Sequence, residues 1–236
     1  MEVTVGRLAA LVVSLTFAIG MIGMVSGYRA PAPYRTLTRG SSVNHVAVIG
    51  DSYTTGTDEG GLGSKAWTSR AWVSLSRQGV QIAPDVASEG RAGYAVRGDH
   101  GSVFEDLTAR AVRPNDALVV FFGSRNDQGV EPELLGQMAH DTLDLAHRTA
   151  PAARLLVIGP PWPTADPPEA VLQVRDIIGD QARAMGATFV DPIAEHWFVG
   201  KPDLIGPDGV HPTDAGHEYM ADKIAPLIRA QLPRLT

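Results

Sequence analysis

From residue 43 onward the sequence alternates short, uncharged, β-branched runs with segments of helical length, and this alternation constrains the fold more than any other feature. Residues 43–49 (Val-Asn-His-Val-Ala-Val-Ile), 117–122 (Ala-Leu-Val-Val-Phe-Phe) and 154–158 (Arg-Leu-Leu-Val-Ile) read as strands buried on both faces. Residues 80–87 form a weaker strand whose Pro84 suits an edge, and 188–191 a short one. Between them, 65–78, 103–112, 132–147 and 169–185 carry apolar residues at helical spacing, and 214–232 closes the chain as a last helix. In the helix at 132–147 the apolar side is marked by Leu134, Leu135, Met138, Leu143 and Leu145. Connections of helical length between strands imply parallel pairing with right-handed crossovers. The expected fold is therefore an α/β three-layer α/β/α sandwich, flavodoxin-like, around about five parallel strands.

In such sheets the functional crevice lies outside the carboxyl ends of the strands. The first strand breaks off there into Gly50-Asp51-Ser52-Tyr53, and the strand at 117–122 into Gly123-Ser124-Arg125-Asn126-Asp127. Ser52 is thus a candidate nucleophile, although Gly-Asp-Ser is also ordinary turn chemistry. A serine hydroxyl needs a neighbouring base, and Asp208-Gly209-Val210-His211 before the last helix offers one. Asp208 and His211, three apart on a loop closed by Pro212, can point to one side, with the carboxylate orienting the imidazole. The competing reading is a helix-entry loop with a solvated histidine. Asn126 can donate an amide N–H to an oxyanion, or equally cap a turn. A glycine such as Gly93, and the Ser52 N–H, are further candidate donors because each can bring a backbone amide close to substrate.

Four blocks, Gly50-Asp51-Ser52-Tyr53, Gly90-Arg91-Ala92-Gly93, Ser124-Arg125-Asn126-Asp127 and Asp208-Gly209-Val210-His211, follow one another in this order. In this succession the sequence resembles the SGNH (GDSL) hydrolase family over about residues 43–232. The resemblance implies a serine esterase or lipase in which Ser52 is nucleophile, His211 general base and acid, and Asp208 the orienting carboxylate. It further implies an oxyanion hole of Ser52 N–H, Gly93 N–H and the Asn126 side chain, with Asp51 holding the nucleophile turn. Two departures stand out. Ser88 occupies a place where the family usually has Asn, and Ser124 one where it usually has Gly.

The reaction expected is hydrolysis of acyl esters of small molecules, glycans or lipids, without metal or cofactor. Two other readings use the same residues or the same fold. One is an acyltransferase or deacylase on cell-envelope polysaccharide; the other is a non-catalytic, membrane-tethered carbohydrate-binding module. A net charge of −6 provides no basic footprint for nucleic acid, and with no cysteine there is no thiolate chemistry. His140, His147 and His217 are expected on exposed helix faces; Trp162 and Trp197 either line the rim of the cleft or simply belong to stiff loops.

Residues 1–28 read as a membrane anchor or signal segment, 29–42 as a Pro/Gly/Ser linker and 43–236 as the catalytic domain. Residues 8–25 carry no charge and as a helix would span about 27 Å, close to the thickness of a bilayer core. That length favours an uncleaved anchor; cleavage after Gly27 is the alternative. Arg29, Arg35 and Arg39 after the span, against Arg7 before it, would hold the domain in the cytoplasm. The layout of a short tail, one span and one large domain instead favours an extracytoplasmic tethered enzyme. Oligomeric state is not legible.

Overall fold

The computed structural model describes residues 43–233; the expected anchor and linker lie outside them. Five strands form one parallel sheet: β1 (Asn44–Gly50), β2 (Ile82–Ser88), β3 (Asp116–Phe122), β4 (Arg154–Ile158) and β5 (Thr188–Val190). Their order is β2-β1-β3-β4-β5, which is the flavodoxin-like order. Among the described residues six α-helices accompany them: α1 (Ser52–Thr55), α2 (Trp67–Arg77), α3 (Phe104–Ala111), α4 (Pro132–Thr149), α5 (Glu169–Ala184) and α6 (Asp214–Gln231).

The period-two side-chain alternation of the strands sorts the core into two layers. Val46 and Val48 of β1, with Leu118, Val120 and Phe122 of β3, pack under α2 and α6 through Trp67, Leu75, Met220 and Ile224. Ala47 and Ile49, with Val119 and Phe121, face α3, α4 and α5 through Phe104, Leu107, Leu143 and Ile178. Each fully buried Val, Leu, Ile or Phe of this kind contributes about 1.5–3 kcal/mol, which explains why β1 and β3 tolerate so few polar residues. β2 is an edge: it pairs only with β1, its middle is exposed, and Pro84 sits in it opposite Val46. There the missing N–H of proline can face away from the ladder.

The expected elements are present with their ends shifted by a residue or two. α1, a single turn directly after β1, is an addition. Burial differs from expectation at Leu134 and Trp197. Leu134 is 52% exposed, and the buried stripe of α4 runs instead through Leu135, Ala139, Leu143 and Ala146. Trp197 is fully buried in the core beside Phe122, its indole N–H donating to Glu195 at 2.8 Å, so it belongs to the core and not to the cleft rim.

The chain enters the sheet on β1, steps out to β2, and returns across β1 to β3. Loops leaving the carboxyl ends of β1 and β3 therefore diverge, and a crevice opens between them. Ser52 and Asn126 follow these two strands.

Candidate active site

Asp51 ends β1 in extended backbone and caps α1, its Oδ1 accepting the Tyr53 N–H at 2.9 Å. This cap makes the chain turn sharply from strand to helix, which puts Ser52 at the first helical position with its N–H among the donors that lack an intrahelical partner. Asp51 thus holds the turn that carries Ser52. It is fully buried, and burial pushes its carboxyl up to about 7 against the lowering effects of the Tyr53 N–H bond and the Arg125 charge.

The residues 206–213 fold on themselves. Gly206 N–H donates to the His211 carbonyl at 2.8 Å, and Thr213 N–H to the Leu204 carbonyl at 2.9 Å. Asp208 Oδ1 accepts the backbone N–H groups of Val210 and His211 at 2.8 and 2.9 Å. Its other oxygen, Oδ2, lies 2.6 Å from His211 Nδ1, and His211 Nε2 lies 3.0 Å from Ser52 Oγ. Partial burial raises the Asp208 carboxyl, but the bonds from the His211 ring and the two backbone N–H groups outweigh it and hold the group below the usual carboxylate range. An ionised Asp208 fixes the ring with its proton on Nδ1 and leaves Nε2 as the acceptor facing Ser52.

Tyr53 ties these two parts together. Its ring is buried, and its hydroxyl donates to the Val210 carbonyl, 157 residues away and next to His211. The tyrosine belongs to the first sequence block, but its identity alone assigned it no role.

The Asn126 amide bridges the chain neighbours of Ser52 and Gly93, but it and the Gly93 N–H are engaged within the protein. The Asn126 amide donates to the Ala92 carbonyl at 2.9 Å and to Asp51 Oδ2 at 3.3 Å. The Gly93 N–H donates to the Val96 carbonyl at 2.8 Å. The loop carrying Gly93 is held by Asp127, a residue to which the sequence alone assigns no role. The Asp127 carboxylate accepts Tyr94 N–H (2.8 Å), Ala95 N–H (2.9 Å), Val96 N–H (3.0 Å) and Ser124 Oγ–H (2.8 Å). Any Cβ on residue 93 would collide with that carboxylate, which explains why glycine stands there. Ser124, the departure from the family's usual Gly, is thus a donor to Asp127. Only the adjacency of Asn126 and Asp127 hinted at this.

Two further expectations have outcomes. Trp162 is half-buried beside the site, with the Arg125 guanidinium carbon 4.5 Å from its ring centre. His217 is not on a surface: it is 1% exposed, while His140 and His147 are exposed as expected.

A family model described as the GDSL-like Lipase/Acylhydrolase family matches residues 48–219. A curated relative, GDSL lipase Rv0518 of Mycobacterium tuberculosis, is 64% identical over 229 residues, covering 96% of this chain and 98% of that protein. Among solved structures, TesA superposes with a TM-score of 0.64 at 23% identity, over 80% of this chain and 100% of its own. The psychrotrophic esterase EstA from Pseudoalteromonas sp. superposes with a TM-score of 0.63 at 14% identity, over 79% and 97%. At these identities the two structures establish the fold.

Proposed function

The chain belongs to the GDSL-like lipase/acylhydrolase family and is an enzyme of the carboxylic ester hydrolase type, and on that premise we propose that Ser52, His211 and Asp208 carry out the hydrolysis. The observation that carries the reading is the continuous relay from Asp208 Oδ2 through the His211 ring to Ser52 Oγ, with links of 2.6 and 3.0 Å. Ser52 Oγ attacks the ester carbonyl as His211 Nε2 takes its proton. The tetrahedral intermediate collapses as His211 returns that proton to the leaving alcohol. Water, activated in turn by His211, then releases the acid and restores Ser52. Asp208 stabilises the imidazolium formed in each half.

The developing oxyanion falls to Ser52 N–H, the Asn126 amide and Gly93 N–H. The Asn126 contact to Asp51 is long at 3.3 Å, and a carboxyl raised to about 7 is partly protonated near neutral pH. That bond is therefore the one most easily exchanged for an oxyanion. Gly93 N–H must share or give up its bond to Val96, so its contribution requires a small rearrangement of the 93–96 loop.

Replacing Ser52 by Ala tests the assignment. Turnover of a short-chain aryl ester should fall by a factor on the order of 10⁴ or more, with the melting temperature retained. Activity persisting in Ser52→Ala would reject Ser52 as nucleophile. A membrane tether, supported by the uncharged run 8–25, with the domain outside the cytoplasm as the layout of a short tail, one span and one large domain favours, completes the proposal and is tested by protease accessibility in intact cells.

A further inference from the structure

The cleft contains a cation that the hydrolytic relay does not use. Arg125 stands between Ser124 and Asn126 on the turn after β3, one residue from a proposed oxyanion donor. Trp162 covers one face of its guanidinium at 4.5 Å. Its Nη1 is buried without a hydrogen-bond partner, and none of the ion pairs among the described residues involves it. It lies within hydrogen-bonding reach of the Tyr53 hydroxyl, and its charge acts on both neighbours of the nucleophile, favouring the ionised forms of Asp51 and Tyr53.

Burying guanidinium donors without an acceptor is unfavourable. A stacked indole compensates the face of the group, and the Tyr53 hydroxyl one part of its edge, but Nη1 is left unserved. The carboxylates at hand are already committed. Asp51 accepts from Tyr53 and Asn126, and Asp127 from three backbone amides and Ser124. A guanidinium braced on its face, with Nη1 buried and unpaired, has donor capacity left for an oxyanion that enters beside it. Resting on the hydrolase reading above, we propose that Arg125, braced by Trp162, is a specificity residue that selects ester substrates bearing a carboxylate or phosphate close to the scissile bond.

Matched ester pairs test this in the full-length enzyme. On the acyl side, mono-4-nitrophenyl adipate is compared with its neutral methyl ester. On the alcohol side, acetylated glycerol 3-phosphate is compared with acetylated glycerol. The readout is the ratio of kcat/KM for the anionic over the neutral member, which cancels effects common to both. Wild type should favour the anionic member in at least one pair, and the pair identifies whether the anion lies on the acyl or the alcohol side. Arg125→Gln should lower that ratio roughly tenfold or more, the loss expected for a charge-assisted bidentate contact. Arg125→Lys, which keeps charge but not the fork, should fall between. A wild-type ratio near one in both pairs, or an unchanged ratio in both variants, overturns the proposal and leaves Arg125 as a brace for the Trp162 loop. Calorimetric binding of adipate monomethyl ester to Ser52→Ala, with and without Arg125→Gln, separates the two layers: lost binding supports the subsite even if Ser52 proves not to be the nucleophile, and retained binding refutes it.

Discussion

His217 offers a sharp test of the structure, because its burial fixes both the sign and the size of an effect. The ring lies under the loop after α1, against Gly61, whose φ of 80° and lack of Cβ let the backbone close over Nε2. Its Nδ1 accepts the Trp67 N–H at 3.3 Å, so the neutral form is the one that fits. Burial drives its pKa from 6.5 down to about 4, with Arg70 adding to the shift and Asp214 opposing it. In the unfolded chain the imidazole protonates near pH 6.5, and in the folded protein not until near pH 4. Between these values the unfolded state binds more protons, so stability is full above about pH 6.5 and is lost as pH falls towards 4. A shift of this size corresponds to about 3 kcal/mol, most of it gone by pH 4.5. Urea unfolding at pH 7.5 and 4.5 measures it. His217→Asn should be less stable at pH 7.5, because the smaller side chain leaves space. Its loss between the two pH values, however, should be about 2–3 kcal/mol smaller than that of wild type. Asp51 and Asp127, whose pKa values are raised by burial, pull the other way but act alike in both proteins. Equal acid sensitivity in the two would refute a neutral, buried His217.

Tyr53→Phe removes the donor to the Val210 carbonyl. It should cost about 1–2 kcal/mol of stability and a comparable part of kcat/KM, a roughly 5- to 30-fold loss; thermal melts and ester kinetics check both, and wild-type values would show that the bond does not set the position of His211. Asp127→Asn forces an amide NH₂ against backbone N–H groups of the 94–96 loop and orphans at least one of them. A loss of about 1–3 kcal/mol in urea unfolding is expected, together with reduced kcat, because Gly93 is carried by that loop. Unchanged kcat would remove Gly93 from the oxyanion-stabilising set.

Much of this fold was legible in the sequence because its determinants are local. Strand faces follow from a period of two and helix stripes from 3.6, and Pro132 opens α4 at its first position. Even His217 carried a readable signal: it precedes Met220 by three residues and Ala221 by four, on the buried stripe of α6. Its polar identity argued for the surface, and the tertiary position of the loop at Gly61 decided otherwise. Trp197 departs in the same sense, since a loop residue has no periodicity to declare that its ring reaches Phe122.

The residue types of the candidate site were likewise written in the sequence, as a serine after one strand, an amide after another and an Asp-x-x-His before the last helix. What no local pattern could supply was distance. Ser52 and His211 are 159 residues apart, yet 3.0 Å separates Oγ from Nε2. That proximity depends on β1 and β3 lying side by side at the switch of strand order, and on Tyr53 reaching Val210. The same holds for Asp127 beneath Gly93 and for Trp162 across Arg125. Each pairs side chains from separate loops, and such pairings are fixed by how the sheet stacks its carboxyl ends, which only the folded chain determines.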